Sequence, residues 1–170
     1  MIGCDGWHST IREQFGVGFD GPRDLSNQVN RLFKADLREY VPKQENGEMA
    51  GAILFWITDP NAYQGVFQPV DPLHEHRWMT QIGFSPTRGE SLEDFTPEVC
   101  KAKIYSAVGT DDFDIEILST NAWSMNASVA LHYRLGEHGK IFLAGDAAHQ
   151  LPPTGGFGMN TGLGDAFNIA

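Results

Sequence analysis

Residues 145–162 read GDAAHQLPPTGGFGMNTG and set five glycines and two prolines into one stretch near the end of a 170-residue chain. Before it, Lys140-Ile-Phe-Leu-Ala144 is a short apolar run bounded by polar residues, the pattern of a buried strand. After it, Leu163, Ala166, Phe167 and Ala170 recur at i, i+3, i+4 and i+7, the spacing of one helical face. Strand, glycine-rich loop and helix in that order belong to an open α/β sheet, where ligands sit outside the carboxyl ends of the strands.

Asp146 stands at the carboxyl end of the expected strand, placed to accept hydrogen bonds from ligand hydroxyls as strand-end acids do from a ribose. The helix N-terminus that follows has unpaired N–H groups and partial positive charge, which suits an anionic or polar ligand. Glycine lets backbone approach a ligand closely and take positive φ, while Pro152-Pro153 fixes φ and stiffens the approach. A Gly-Asp followed by Pro and Gly also makes a simple tight turn. No single turn type, however, requires the strand, the acid, the double proline, the spaced glycines and the amphipathic helix together.

The chain opens on a second unit of this kind. Met1-Ile-Gly-Cys-Asp5-Gly6-Trp-His-Ser9-Thr-Ile-Arg12 reads as the end of a strand, an acid–glycine pair, and Ser9 as N-cap of a helix over 10–15 that stops at Gly16. A strand with nothing before it needs sheet neighbours from elsewhere, so the sequence is expected to start within a fold.

Between the two units, residues 28–37, 51–58, 64–70, 76–84 and 113–123 are rich in β-branched and aromatic residues and predict an antiparallel sheet. Trp78, Thr80, Ile82 and Phe84 share one face, as do Phe113, Ile115 and Ile117. One helix, over 97–108, is introduced by Thr96 as N-cap with Pro97 at its first position and ends near Gly109. Turns are expected at 44–47, 59–61 and 86–89. The expected fold is mixed α/β: part of a Rossmann-like domain at 1–20 and 131–170, with an antiparallel-sheet domain inserted at 21–130.

Composition narrows the function. A net charge of −10, with twelve basic residues in no cluster, disfavours nucleic acid and anionic membrane surfaces. No apolar run is long enough to span a bilayer and no secretory leader is visible, so the expected compartment is cytoplasmic. Cys4 and Cys100 lie in no ligand spacing, and His74-Glu75-His76 has no third ligand in view, so no metal site is expected.

Taken together, the two terminal units resemble the FAD-dependent aromatic hydroxylases, single-component flavoprotein monooxygenases similar to phenol and p-hydroxybenzoate hydroxylases. Gly3-Cys-Asp5-Gly6-Trp-His-Ser9-Thr-Ile-Arg12 is similar to that family's second nucleotide-contacting motif, and residues 145–166 to its flavin-contacting motif. The resemblance implies FAD as cofactor, with Gly145 and Asp146 at its ribityl and ribose region. It places Gly156, Gly158 and the Met159 and Asn160 amides at the pyrimidine edge of the flavin, where donors stabilise reduced-flavin charge. It implies that Asp5, Gly6 and Arg12 lie near the pyrophosphates of FAD and of NAD(P)H as co-substrate. Pro153 would line the catalytic cavity where a small aromatic, phenol-like substrate meets the flavin C4a. The implied reaction is hydroxylation with O2 through a flavin C4a-hydroperoxide.

The middle sheet is the expected substrate wall, with Phe55, Trp56, Phe67, Trp78 and Phe84 as candidate pocket residues, each more readily a core residue. His149 is read as a structural donor in preference to a catalytic base. Family members begin with a strand, a GxGxxG phosphate loop and a helix, and no such motif is expected in these residues. The AMP half of the FAD site is therefore expected to be missing, the chain to be a piece of a longer enzyme, and the isolated chain to be inactive. Another flavoprotein of the same fold (epoxidase, halogenase or reductase) and a non-catalytic FAD-binding fragment are the alternatives.

Overall fold

A computed structural model describes residues 1–59 and 62–170. The first part of the chain forms β1 (Ile2–Gly3), α1 (Thr10–Gln14) and β2 (Phe19–Asp20). The middle forms β3 (Ser26–Lys34), β4 (Phe55–Trp56), β5 (Gly65–Asp71), β6 (Arg77–Phe84), α2 (Pro97–Val108) and β7 (Glu116–Met125). The last part forms β8 (Ser128–Ala130), β9 (Arg134–Leu135), β10 (Ile141–Leu143), β11 (His149–Gln150) and α3 (Phe157–Ile169). Two compact units result, one of Met1–Ser26 with Ser124–Ala170, the other of Asn27–Trp123. The 124–130 segment falls in the first unit because β8 pairs with β2, Phe19 opposite Ala130.

In the second unit five strands lie in the order β4-β5-β6-β3-β7. Period-two alternation on β3 and β6 puts Val29, Arg31 and Phe33 opposite Ile82, Thr80 and Trp78, and all six are buried. Helix α2 buries Cys100 and Ile104 in the two clusters built on this face. Its boundaries have the expected causes: Thr96 accepts the Val99 N–H at 3.3 Å, Pro97 opens the helix, and Gly109 closes it at φ +89°. Polar atoms within the core are paired. Trp78 Nε1 donates to Ala35 O at 3.1 Å, Thr80 Oγ1 to Val66 O at 3.0 Å, and Arg31 Nε to Cys100 Sγ at 3.1 Å. Of the candidate pocket aromatics, Phe67 and Trp78 are core, Phe55 and Phe84 pack against it, and Trp56 is 68% exposed. The turns at 44–47 and 86–89 form, with Gly47 at φ +82° and Gly89 at +78°. The third, at 59–61, extends beyond the described residues.

In the first unit β10 lies between β1, parallel to it, and β9, antiparallel. A second small sheet has the order β11-β8-β2. Ala130, Leu135, Leu143, Ala147 and Ala148 form the core, with Ile11, Val17, Phe19 and Ile141 packed against it.

Helix α3 forms where expected, but not with the expected face inward. Leu163 is 63% and Phe167 84% exposed, with Ala166 and Ala170 exposed as well. The partly buried stripe runs instead through Gly158, Gly162, Asp165 and Ile169. On this stripe Gly162 lies against Gly145, an added Cβ standing at an ordinary 3.9 Å from Gly145 Cα, and Asp165 Oδ2 accepts the Gly145 N–H at 2.8 Å.

Candidate functional site

The parallel pairing of β1 with β10, Ile2 opposite Phe142 and Gly3 opposite Leu143, brings the carboxyl ends of both strands to one sheet edge. Both acid–glycine units therefore emerge side by side, and Ala144 N–H donates to Gly3 O at 3.0 Å between them.

After β10 the chain makes a single 3₁₀ turn over Gly145–Ala147, which Gly145 enters at φ +59°. Ala147 and Ala148 are fully buried, and Asp146 beside them is exposed. Among the described residues Asp146 makes no hydrogen bond and no ion pair, so its carboxylate is available to a ligand. Beyond β11, Pro153 O accepts the Gly156 N–H at 3.0 Å, and Gly155 and Gly156 take φ +94° and +68°. Gly156 is the N-cap of α3, and no side chain caps the helix. The N–H groups of Phe157, Gly158 and Met159, the first three helical residues, thus lack intrahelical partners. Asn160 is one step further in, where its amide serves the helix ladder. Its Nδ2 donates to Gly156 O at 3.0 Å. A Cβ added at Gly145, Gly156 or Gly158 would meet nothing within 4 Å, so open space lies at these backbones. Pro153 is exposed.

On the neighbouring strand end, Asp5 Oδ2 accepts the Ile11 N–H at 3.2 Å, and Gly6 turns the chain at φ +84°. The Ser9 hydroxyl, followed by backbone N–H groups, holds the Asp5 carboxyl below its ordinary range. Ser9 itself caps α1 by accepting the Arg12 N–H at 3.0 Å.

Arg12 is buried. Its Nη1 donates to Trp7 O at 3.0 Å and Ala147 O at 3.5 Å, and its guanidinium lies 4.1 Å over the Phe19 ring. It joins the two acid–glycine turns. Sequence reasoning did not single out Asp165, whose Oδ2 is 2.8 Å from Gly145 N and 2.6 Å from His149 Nε2. Only the fold brings these three together.

One expectation fails as a matter of spelling. Gly16-Val17-Gly18-Phe19-Asp20-Gly21 does match GxGxxG. It follows α1 and runs into β2, the reverse of the strand-to-helix context that gives the motif its phosphate-binding geometry. Gly16 ends the helix at φ +63°, and Gly21 lies so close to Ala127 O that no Cβ would fit.

Two parallel strand ends bearing acid–glycine turns, on a unit whose glycine-rich loop delivers a helix with free N–H groups, define a nucleotide-cofactor site of the α/β type. A free carboxylate for hydroxyls, free amides for an electron-rich ring edge and unfilled space over the glycines fit FAD. The chain belongs to the FAD binding domain family, whose profile matches residues 1–170. It is 35% identical over 170 residues to aklavinone 12-hydroxylase of Streptomyces peucetius, covering 100% of this chain and 32% of that protein. It is 36% identical over 176 residues to tetracenomycin A2 monooxygenase-dioxygenase of Streptomyces glaucescens, covering 100% and 29%. The crystal structure of a ternary complex of aklavinone-11 hydroxylase with FAD and aklavinone matches with a TM-score of 0.80 at 32% identity, over 99% of this chain and 29% of that one. The chain thus spans about a quarter to a third of the length of the curated relatives it matches. The resemblance to FAD-dependent aromatic hydroxylases is upheld, as is the mixed α/β fold. Among the described residues no helix is long and apolar enough to cross a membrane.

Proposed function

We propose that residues 1–170 carry the isoalloxazine-side part of the FAD site in one unit and a substrate domain in the other, both belonging to a longer NAD(P)H-dependent aromatic monooxygenase. The observation that carries this reading is the unpaired Asp146 carboxylate on the turn after β10, in the unit where α3 begins with free amides. Bound there, FAD supplies the redox chemistry by which O2, with electrons from NAD(P)H, yields one oxygen atom for an aromatic ring. The residues of this chain bind and orient. Asp146 accepts from cofactor hydroxyls through the turn that starts at Gly145, and the free amides of Gly158 and Met159 face the pyrimidine edge.

Gly156 turns the chain into that helix, and Asn160 braces its first turn through Gly156 O. Donors fixed at a helix N-terminus stabilise negative charge without reorganising, and this selects the reduced ring. Pro153 lines the cavity on the substrate side. Asp5 and Gly6 lie on the pyrophosphate side, where the buried Arg12 contributes its charge while it holds the two turns together. Relatives named as hydroxylases of polyketides and of aklavinone match at 39% and 35% identity, against 30% for one named for 2,4-dichlorophenol, and this supports a polyketide phenol over a simple one as substrate.

The reading is tested by purifying the full-length protein and recording its visible spectrum and its oxygen uptake. Flavin absorbance near stoichiometric with protein, and NAD(P)H oxidation stimulated by a polyketide phenol, are expected. A colourless protein that takes up no added FAD would contradict the reading.

A further inference from the structure

One oxygen of α3 grips both flanks of the turn that presents Asp146. Asp165 Oδ2 accepts the Gly145 N–H at 2.8 Å, on the entry side, and lies 2.6 Å from His149 Nε2, on the exit side. His149 is 4% exposed, and its other ring nitrogen, Nδ1, has no partner among the described residues. The carboxylate is therefore the polar group that fixes the ring's orientation, with the Tyr133 ring, 6.5 Å away between centroids, beside it. Three residues before Asp165 on the same face, Gly162 brings the helix against Gly145. Between these two anchored flanks, Asp146 has no bond of its own among the described residues, so its position follows from theirs.

We propose that Asp165 is a positioning residue for the cofactor: through Gly145 and His149 it holds the Asp146 carboxylate where the cofactor hydroxyls meet it. This rests on the FAD reading above. A group that acts through another has a distinctive signature, because its removal matters only while the second group is present. A plain structural staple would weaken the protein regardless of Asp146.

The experiment measures FAD dissociation constants by flavin fluorescence in the full-length protein for wild type, D165A, D165N, H149Q, D146A and D146A/D165A. Gly145 amide hydrogen exchange is followed in parallel. D165A should weaken FAD by about tenfold, the scale of a lost charged-acceptor bond. D165N, which keeps an oxygen acceptor in place, should recover most of that. In the D146A background the D165A change should add no more than about twofold, and Gly145 exchange should be faster in D165A.

An unchanged dissociation constant in D165A would overturn the proposal, as would losses that multiply fully in the double variant. Should D165A fail to fold, H149Q with and without D146A supplies the same cycle: a loss confined to the Asp146 background supports the proposal, and no loss or full multiplication overturns it. A wild type that takes no FAD would sink the functional reading instead. Gly145 exchange would then test the clamp by itself, faster in D165A, or in H149Q should D165A not fold, supporting it and unchanged overturning it.

Discussion

Replacing Asp146 with alanine separates a ligand-binding role from a structural one, because this carboxylate bonds to nothing else among the described residues. Its removal orphans no donor and opens no cavity. Folding stability should therefore stay within about 0.5 kcal/mol of wild type, the range of an exposed substitution away from special features. The cost falls on the cofactor. A charged acceptor lost from buried hydroxyls costs about 1.5–3 kcal/mol, which at ~1.4 kcal/mol per tenfold is roughly a 10- to 150-fold weaker dissociation constant. Asp146→Asn, which keeps an acceptor and loses the charge, should fall between the two. Flavin fluorescence titration of the full-length protein, paired with urea denaturation of the flavin-free form, reads both quantities. Unchanged FAD affinity would refute the assignment. A loss of affinity matched by an equal loss of stability in the flavin-free form would refute the claim that Asp146 is free of structural duty.

Gly158 lies in the first turn of α3 with open space where a Cβ would stand, so Gly158→Val should leave the thermal midpoint level or slightly raised while moving the flavin midpoint potential. A potential equal to that of wild type would count against these amides stabilising the reduced ring. The Asp5 carboxyl is held below 3.8, chiefly by Ser9, so its stabilisation is complete above that value and is lost only as pH falls through the lowered folded value. The Ile11 amide, which bonds to Asp5, should hold its chemical shift down through that pH and move below it, and a transition at or above 3.8 would contradict the assignment. Trp78 is fully buried and bonded to Ala35, so Trp78→Ala should cost about 3–5 kcal/mol by chemical denaturation. A cost under about 1 kcal/mol would show that this core does not carry the sheet.

What could be read from the sequence follows the range of the interactions involved. Helix α2 was fully legible because Thr96, Pro97 and Gly109 mark its ends locally, and the shared face of Trp78, Thr80 and Ile82 followed from alternation alone. The expected strand over 51–58 shrank to Phe55–Trp56, the residues that pair with Phe67 and Val66 of β5, and Ile53 remains 83% exposed. Strands β8, β9 and β11, of two or three residues, carry too few positions to show a period.

In the site, the motif segments located both turns, but hydrophobic periodicity chose the wrong inward face for α3. The helix packs through Gly162 and Asp165, and neither residue registers as apolar. The burial of Arg12 was likewise invisible, because its partners Trp7, Phe19 and Ala147 converge only once β1 and β10 have paired.

The most direct test of the central claim is a crystal structure of the full-length protein grown with FAD. The cofactor hydroxyls are predicted to lie within hydrogen-bonding distance of Asp146, and the flavin ring edge to meet the free amides at the start of α3. FAD bound elsewhere, with Asp146 and those amides facing only water, would contradict it.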